Sequence, residues 1–138
     1  MTVVCDTSAL LALLDRSETT HAAVTRLFRS APESWIIPAA VLPETDYLLS
    51  RHVGAAAARL FLEDVAAERF TVEWGRADDL LQAAQIIGRY RGLPLGYVDA
   101  MVMAAAVRLR ADAIATLDLR HFGAVKLATK PRLLPRDA

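Results

Sequence analysis

Of the sixteen acidic side chains in the sequence, four stand in apolar company. Asp6 ends the run Val3-Val4-Cys5 and precedes the aliphatic stretch Ala9 to Leu14. Glu44 lies in AAVLPETDYLL, Asp99 interrupts YVDAMVMAAAV, and Asp118 follows AIATL. An unpaired carboxylate in a dry environment is costly, so such groups pair, take up a proton or bind a metal. Taken singly, each has an ordinary reading. Asp6 can cap a helix, Glu44 can pair with Arg51, Asp99 with Arg91 or Arg108, and Asp118 can open a turn. Taken together, they suit magnesium or manganese, hard cations that take oxygen ligands and often share them with substrate phosphates. That chemistry is phosphoryl displacement by activated water.

The elements must bring the four acids together. Val3 to Cys5 reads as a buried strand, followed by a helix over about Ala9 to Leu14 and another over Thr20 to Arg29. Trp35 to Ile37 is a second strand. The next helix carries Val41, Thr45, Leu48 and Leu49 inward and stops near Gly54. Pro43 either restrains Leu42 from helical geometry or opens the helix in its first turn. Ala55 to Ala67 is a helix with Leu60, Phe61 and Val65 facing inward, and Phe70 to Glu73 is a third strand. Arg76 to Tyr90 is a helix with a stripe through Leu80, Ala83, Ala84 and Ile87. Tyr97 to Arg110 is apolar around most of its circumference, as a buried helix is. Ala113 to Thr116 is a fourth strand, and Val125 to Ala128 reads as a fifth.

Alternating strands and helices specify an α/β fold, a short central parallel sheet flanked by helices on both faces. Ligands of such sheets bind outside the carboxyl ends of the strands. Asp6 and Asp118 directly follow strands, Glu44 lies in a helix after a strand, and Asp99 is in the first turn of its helix. One edge is therefore their expected meeting place.

The totals narrow the function classes. A chain of 138 residues with 54% hydrophobic residues is expected to form one domain over 1–138. No apolar stretch reaches the roughly 18 to 20 residues of a membrane span, and no basic region precedes the first apolar segment. A cytoplasmic protein without membrane contact is expected. The single cysteine, Cys5, allows no internal disulfide. Basic and acidic residues balance at sixteen each, which argues against a strongly basic nucleic-acid clamp. From Arg120 onward, Lys126, Lys130, Arg132 and Arg136 outnumber Asp137, as in a solvated basic tail.

Other chemistries lack support. His21, His52 and His121 do not have zinc spacing, and His121 beside Arg120 reads as a surface residue. Ser8 has no recognisable base or nucleophile elbow, and the glycines form no nucleotide-binding pattern. An aspartyl-phosphate phosphatase would want a second aspartate where Ser8 stands. A receiver domain would want an acidic pair near the first strand.

The same motifs closely resemble those of the PIN-domain ribonucleases, specifically the VapC toxins of VapBC toxin–antitoxin pairs. CDTSALLALLD is similar to the family's first motif, LPETDYLL to the second, LGYVDAMVMAAA to the third and IATLDLRHF to the fourth. The likeness spans nearly the whole chain in order. It implies a PIN fold and a Mg2+-dependent endoribonuclease, with Mn2+ able to substitute, acting on RNA such as tRNA or rRNA. It also implies a cognate VapB-type antitoxin and a homodimer. Asp6, Glu44, Asp99 and Asp118 carry over as catalytic, metal-holding residues, and Ser8 and Thr116 as their support. The alternative, a catalytically silent PIN-fold RNA-binding or scaffold module, would be expected to have lost one or more of these acids.

Overall fold

A computed structural model describes all 138 residues. Five short strands form one parallel sheet in the order β3-β2-β1-β4-β5: β1 is Val3–Cys5, β2 Trp35–Pro38, β3 Thr71–Glu73, β4 Ala113–Ala115 and β5 Arg132–Leu134. Val3 pairs with Trp35 on one side and Ala113 on the other, so β1 is central. Successive side chains of a strand point to opposite faces. Every residue of β1 and β4 is nonetheless buried, so both faces of the sheet are covered.

The cover consists of α1 (Thr7–Leu14), α2 (His21–Ser30), α3 (Leu42–His52), α4 (Ala55–Ala66), α5 (Ala77–Arg89), α6 (Tyr97–Arg108) and α7 (Leu119–Ala124). The core is one cluster of 27 buried residues, with the β1 and β4 side chains, Leu10, Phe61, Val102 and Met103 among them. The chain leaves β1 for β2 on one side of the sheet and later crosses to β4 on the other. The strand order therefore reverses between β1 and β4, where open α/β sheets hold their ligands.

Several sequence expectations need correction. The fifth strand is Arg132–Leu134, and Val125 to Ala128, expected as that strand, is irregular chain just after α7. Leu133 and Leu134 are buried, so the basic tail is an edge strand whose cations stay exposed while its leucines enter the core. On α5 the inward face is Asp79, Ala83 and Ile86, and Leu80 is exposed. The stripe is rotated because Asp79 has an internal cation to meet. On α4, Phe61 is inward and Leu60 outward. At α3, Leu42 is helical and Pro43 lies in the first turn, continuing a 3-10 turn over Ala39–Val41.

Candidate active site

The carboxyl ends of β1 and β4 are tied directly together, since the Asp6 N–H donates to the Ala115 carbonyl at 2.9 Å. That bond brings two strand-to-helix junctions into contact. Asp6 is 4% exposed, and its Oδ2 accepts from Thr116 Oγ1 at 2.9 Å and Ser8 Oγ at 3.0 Å. Both hydroxyls are themselves held by the backbone: Leu117 N–H donates to Ser8 Oγ at 2.8 Å and Asp118 N–H to Thr116 Oγ1 at 3.0 Å. Asp6 occupies the N-cap position of α1 but makes no capping hydrogen bond with its side chain. The position suits a cap, yet its carboxylate turns to the hydroxyls across the strand ends.

Asp118 does cap α7. Its Oδ1 accepts from the His121 N–H at 3.1 Å and its Oδ2 faces His121 Nδ1 at 2.7 Å. A carboxylate only accepts, so Nδ1 carries the proton of that bond. His121 Nδ1 is also 3.9 Å from Asp99 Oδ2. Asp99, Asp118 and His121 each offer a ligand atom within 4.8 Å of the others. Glu44, exposed in the first turn of α3, lies outside that trio.

The electrostatics agree with this layout. Burial raises the proton affinity of Asp6 above the ordinary carboxylate range, more than the Thr116 and Ser8 hydroxyls lower it, and the Asp99 charge raises it further. Asp99 is also raised, first by burial and then by Asp118, with a smaller push from Glu44. The ordinary pairings are not made: Arg108 binds Asp79 and Glu73 rather than Asp99, and Arg51 donates to the Tyr47 hydroxyl rather than Glu44.

Against this geometry, the family profile for the PIN domain matches residues 3–127. The chain belongs to the PIN-domain family. This PIN domain is 36% identical over 124 residues to Ribonuclease VapC26 of Mycobacterium tuberculosis, covering 90% of this chain and 92% of the relative. Its fold is similar to the crystal structure of Mycobacterium tuberculosis VapC20, a sarcin-ricin loop cleaving toxin. That match has a TM-score of 0.81 at 25% identity and covers 94% of this chain and all of the other (100%). A DNA-bound VapBC structure from Salmonella typhimurium matches with a TM-score of 0.73 at 18% identity, over 96% of each chain.

The PIN-domain donor set fits a divalent cation. Carboxylate oxygens are the ligands that hard cations prefer. Burial is the main cause of the raised proton affinities of Asp6 and Asp99, and of the charged neighbours of Asp99 only His121 lowers it. His121 is the residue that sequence reasoning placed at the surface. Its side chain is only 18% exposed, and its Nε2 is buried without a protein partner. The available signal was its spacing: three residues after an acid that caps a helix, a side chain turns back onto that acid.

Proposed function

We propose that this PIN domain is a metal-dependent endoribonuclease toxin of a type II toxin–antitoxin pair, with residues 1–138 as one domain. What carries the reading is the meeting of Asp99, Asp118 and His121 where the strand order reverses, with buried Asp6 within electrostatic reach of Asp99. Asp6, Asp99 and Asp118 would hold the ion, with Glu44 at the rim. Magnesium is the expected ion and manganese a substitute, because both accept an oxygen-rich set.

When bound, a divalent cation supplies positive charge against a displaced phosphoryl group and eases deprotonation of water. The protein's own contribution is rigidity. Ser8 and Thr116 fix the rotation of the Asp6 carboxylate, and the Leu117 and Asp118 N–H groups fix those hydroxyls. The His121 Nδ1–H does the same for Asp118. A site held this way need not reorganise as charge develops on the phosphate.

RNA is the substrate, with tRNA or rRNA the favoured class, in keeping with the VapC names among its relatives. A VapB-type antitoxin is the expected inhibitor, in keeping with the VapBC structures of the same fold; a homodimer is the expected assembly from the motif resemblance alone. The test is cleavage of RNA by purified protein with added Mg2+ or Mn2+. Chelator should stop it, and Asp99→Asn should lower the rate at least ~100-fold while keeping the fold. Undiminished cleavage by Asp99→Asn would overturn the mechanism.

A further inference from the structure

The carboxyl edge of the sheet does not end at the acids. Over its other half, where β2 and β3 finish, lies a cavity of about 250 Å³ between the start of α3, the turn after β3 and one side of α6. Its lining lies close along the chain to the acids: Pro43 precedes Glu44 at the start of α3, and Tyr97 shares the first turn of α6 with Asp99. Asp99 sits on another face of that helix from the Tyr97-Met101-Ala105 stripe. We propose that this cavity is a nucleobase subsite, holding one unpaired base of the RNA a nucleotide or two from the scissile phosphate. The proposal rests on the ribonuclease reading above.

Two aromatic residues line the cavity at unusual exposure, Trp74 at 73% and Tyr97 at 55%. Neither ring stacks on another aromatic ring or under a cation of the protein. Large apolar rings left open to water are informative where they border a recess. Pro43, Met101 and Ala105 add apolar wall. Protein sites that read RNA by sequence take single unstacked bases onto aromatic faces and hydrogen-bond their edges.

The opposite wall is polar and fixed. Arg108 Nε and Nη2 donate to Asp79 at 2.8 and 3.1 Å, and Nη2 also reaches Glu73 Oε1 at 2.9 Å. Gly75, at φ +90 in the turn that a side chain would strain, donates its N–H to the same Glu73 oxygen at 3.1 Å. These bonds use neither Glu73 Oε2 nor Arg108 Nη1, which leaves the wall one acceptor and one donor free. Base edges present that mixture of donors and acceptors, whereas a phosphate presents only acceptors. The volume lies below that of ordinary ligand pockets, which suits one flat ring system rather than a length of duplex.

The test uses the full chain and a pool of short single-stranded RNAs of random sequence, cut in Mg2+ or Mn2+, with the new ends sequenced. Wild type should show a base preference at one position within a nucleotide or two of the cut. Trp74→Ala should flatten it and lower kcat/KM roughly tenfold, mainly through KM, while Trp74→Phe keeps it. Glu73→Gln, which leaves the Arg108–Asp79 bond in place, should alter which base is preferred. A readout without turnover comes from tryptophan emission of the metal-free protein, since Trp35 is buried and Trp74 is open. Short single-stranded RNA should quench it. Cleavage with an unchanged base preference in Trp74→Ala would overturn the subsite alone. So would loss of a dimer in that variant in place of any change in preference, or emission indifferent to saturating RNA. No metal-dependent cleavage by wild type would overturn the ribonuclease reading and the subsite with it.

Discussion

Asp6 shows how a residue's cost and its use come from the same surroundings. Burial raises its proton affinity, so in the metal-free protein its charge opposes folding. Folding takes up protons at such a group, and stability from this source falls as pH rises from the unfolded carboxylate value, about 3.9, through the raised folded one. Asp6→Asn should therefore abolish cleavage yet raise the melting temperature of metal-free protein by a few degrees at neutral pH. Thermal scans from pH 7 down to about 4 should show that advantage shrinking, because the wild-type carboxyl is then neutral too. A variant less stable than wild type at neutral pH would contradict the account. For His121, truncation to Ala removes the Nδ1–H that orients Asp118. We expect Mn2+ binding by calorimetry to weaken about tenfold with the far-ultraviolet dichroism unchanged. Asp99 and Asp118, which meet in the structure, stood out in the sequence because a carboxylate between aliphatic residues is conspicuous in one dimension, whereas Glu44 is exposed and outside that cluster. His121 did not stand out, since only the turn after Asp118 folds its ring back.

Elements are joined by a second set of charges whose role is architectural. Arg108 at the end of α6 bonds Asp79 on α5 and Glu73 at the end of β3. Burial pushes Asp79 upward, but the Arg108 and Arg76 hydrogen bonds prevail and leave its carboxyl below the ordinary range. Its sign is thus opposite to that of Asp6: the contribution is present above about pH 4 and is lost as pH falls through the depressed value. Arg108→Ala would leave Asp79 buried and unpaired, and we expect about 3 kcal/mol of destabilisation by urea unfolding. The alternation of strands and helices was readable because each period persists over several residues. The burial of Asp79 leaves no trace in the local sequence because its partner lies 29 residues along the chain. The last strand was missed for a related reason. Leu133 and Leu134 sit among basic residues, and only pairing with β4 makes that segment a strand.

For the whole molecule, the acids form a deficit of positive charge that a cation should fill. A ligand that binds only the folded state stabilises it by mass action, about 2.7 kcal/mol at a hundred times its dissociation constant. Mg2+ or Mn2+ should accordingly raise the melting temperature of wild type, and much less that of Asp99→Asn. Equal shifts in both would show that the ions act elsewhere. No helix of the protein is long and apolar enough to cross a membrane.

The bond from Asp6 to Ala115, and the hydroxyl of Thr116 on the Asp6 carboxylate, join residues about 110 positions apart. A polypeptide emerging from the ribosome up to Ala115 already carries Asp6, Glu44 and Asp99, but neither Thr116 nor Asp118. It also lacks β5, the strand that borders β4. The candidate site is thus assembled only once nearly all of the chain has been made.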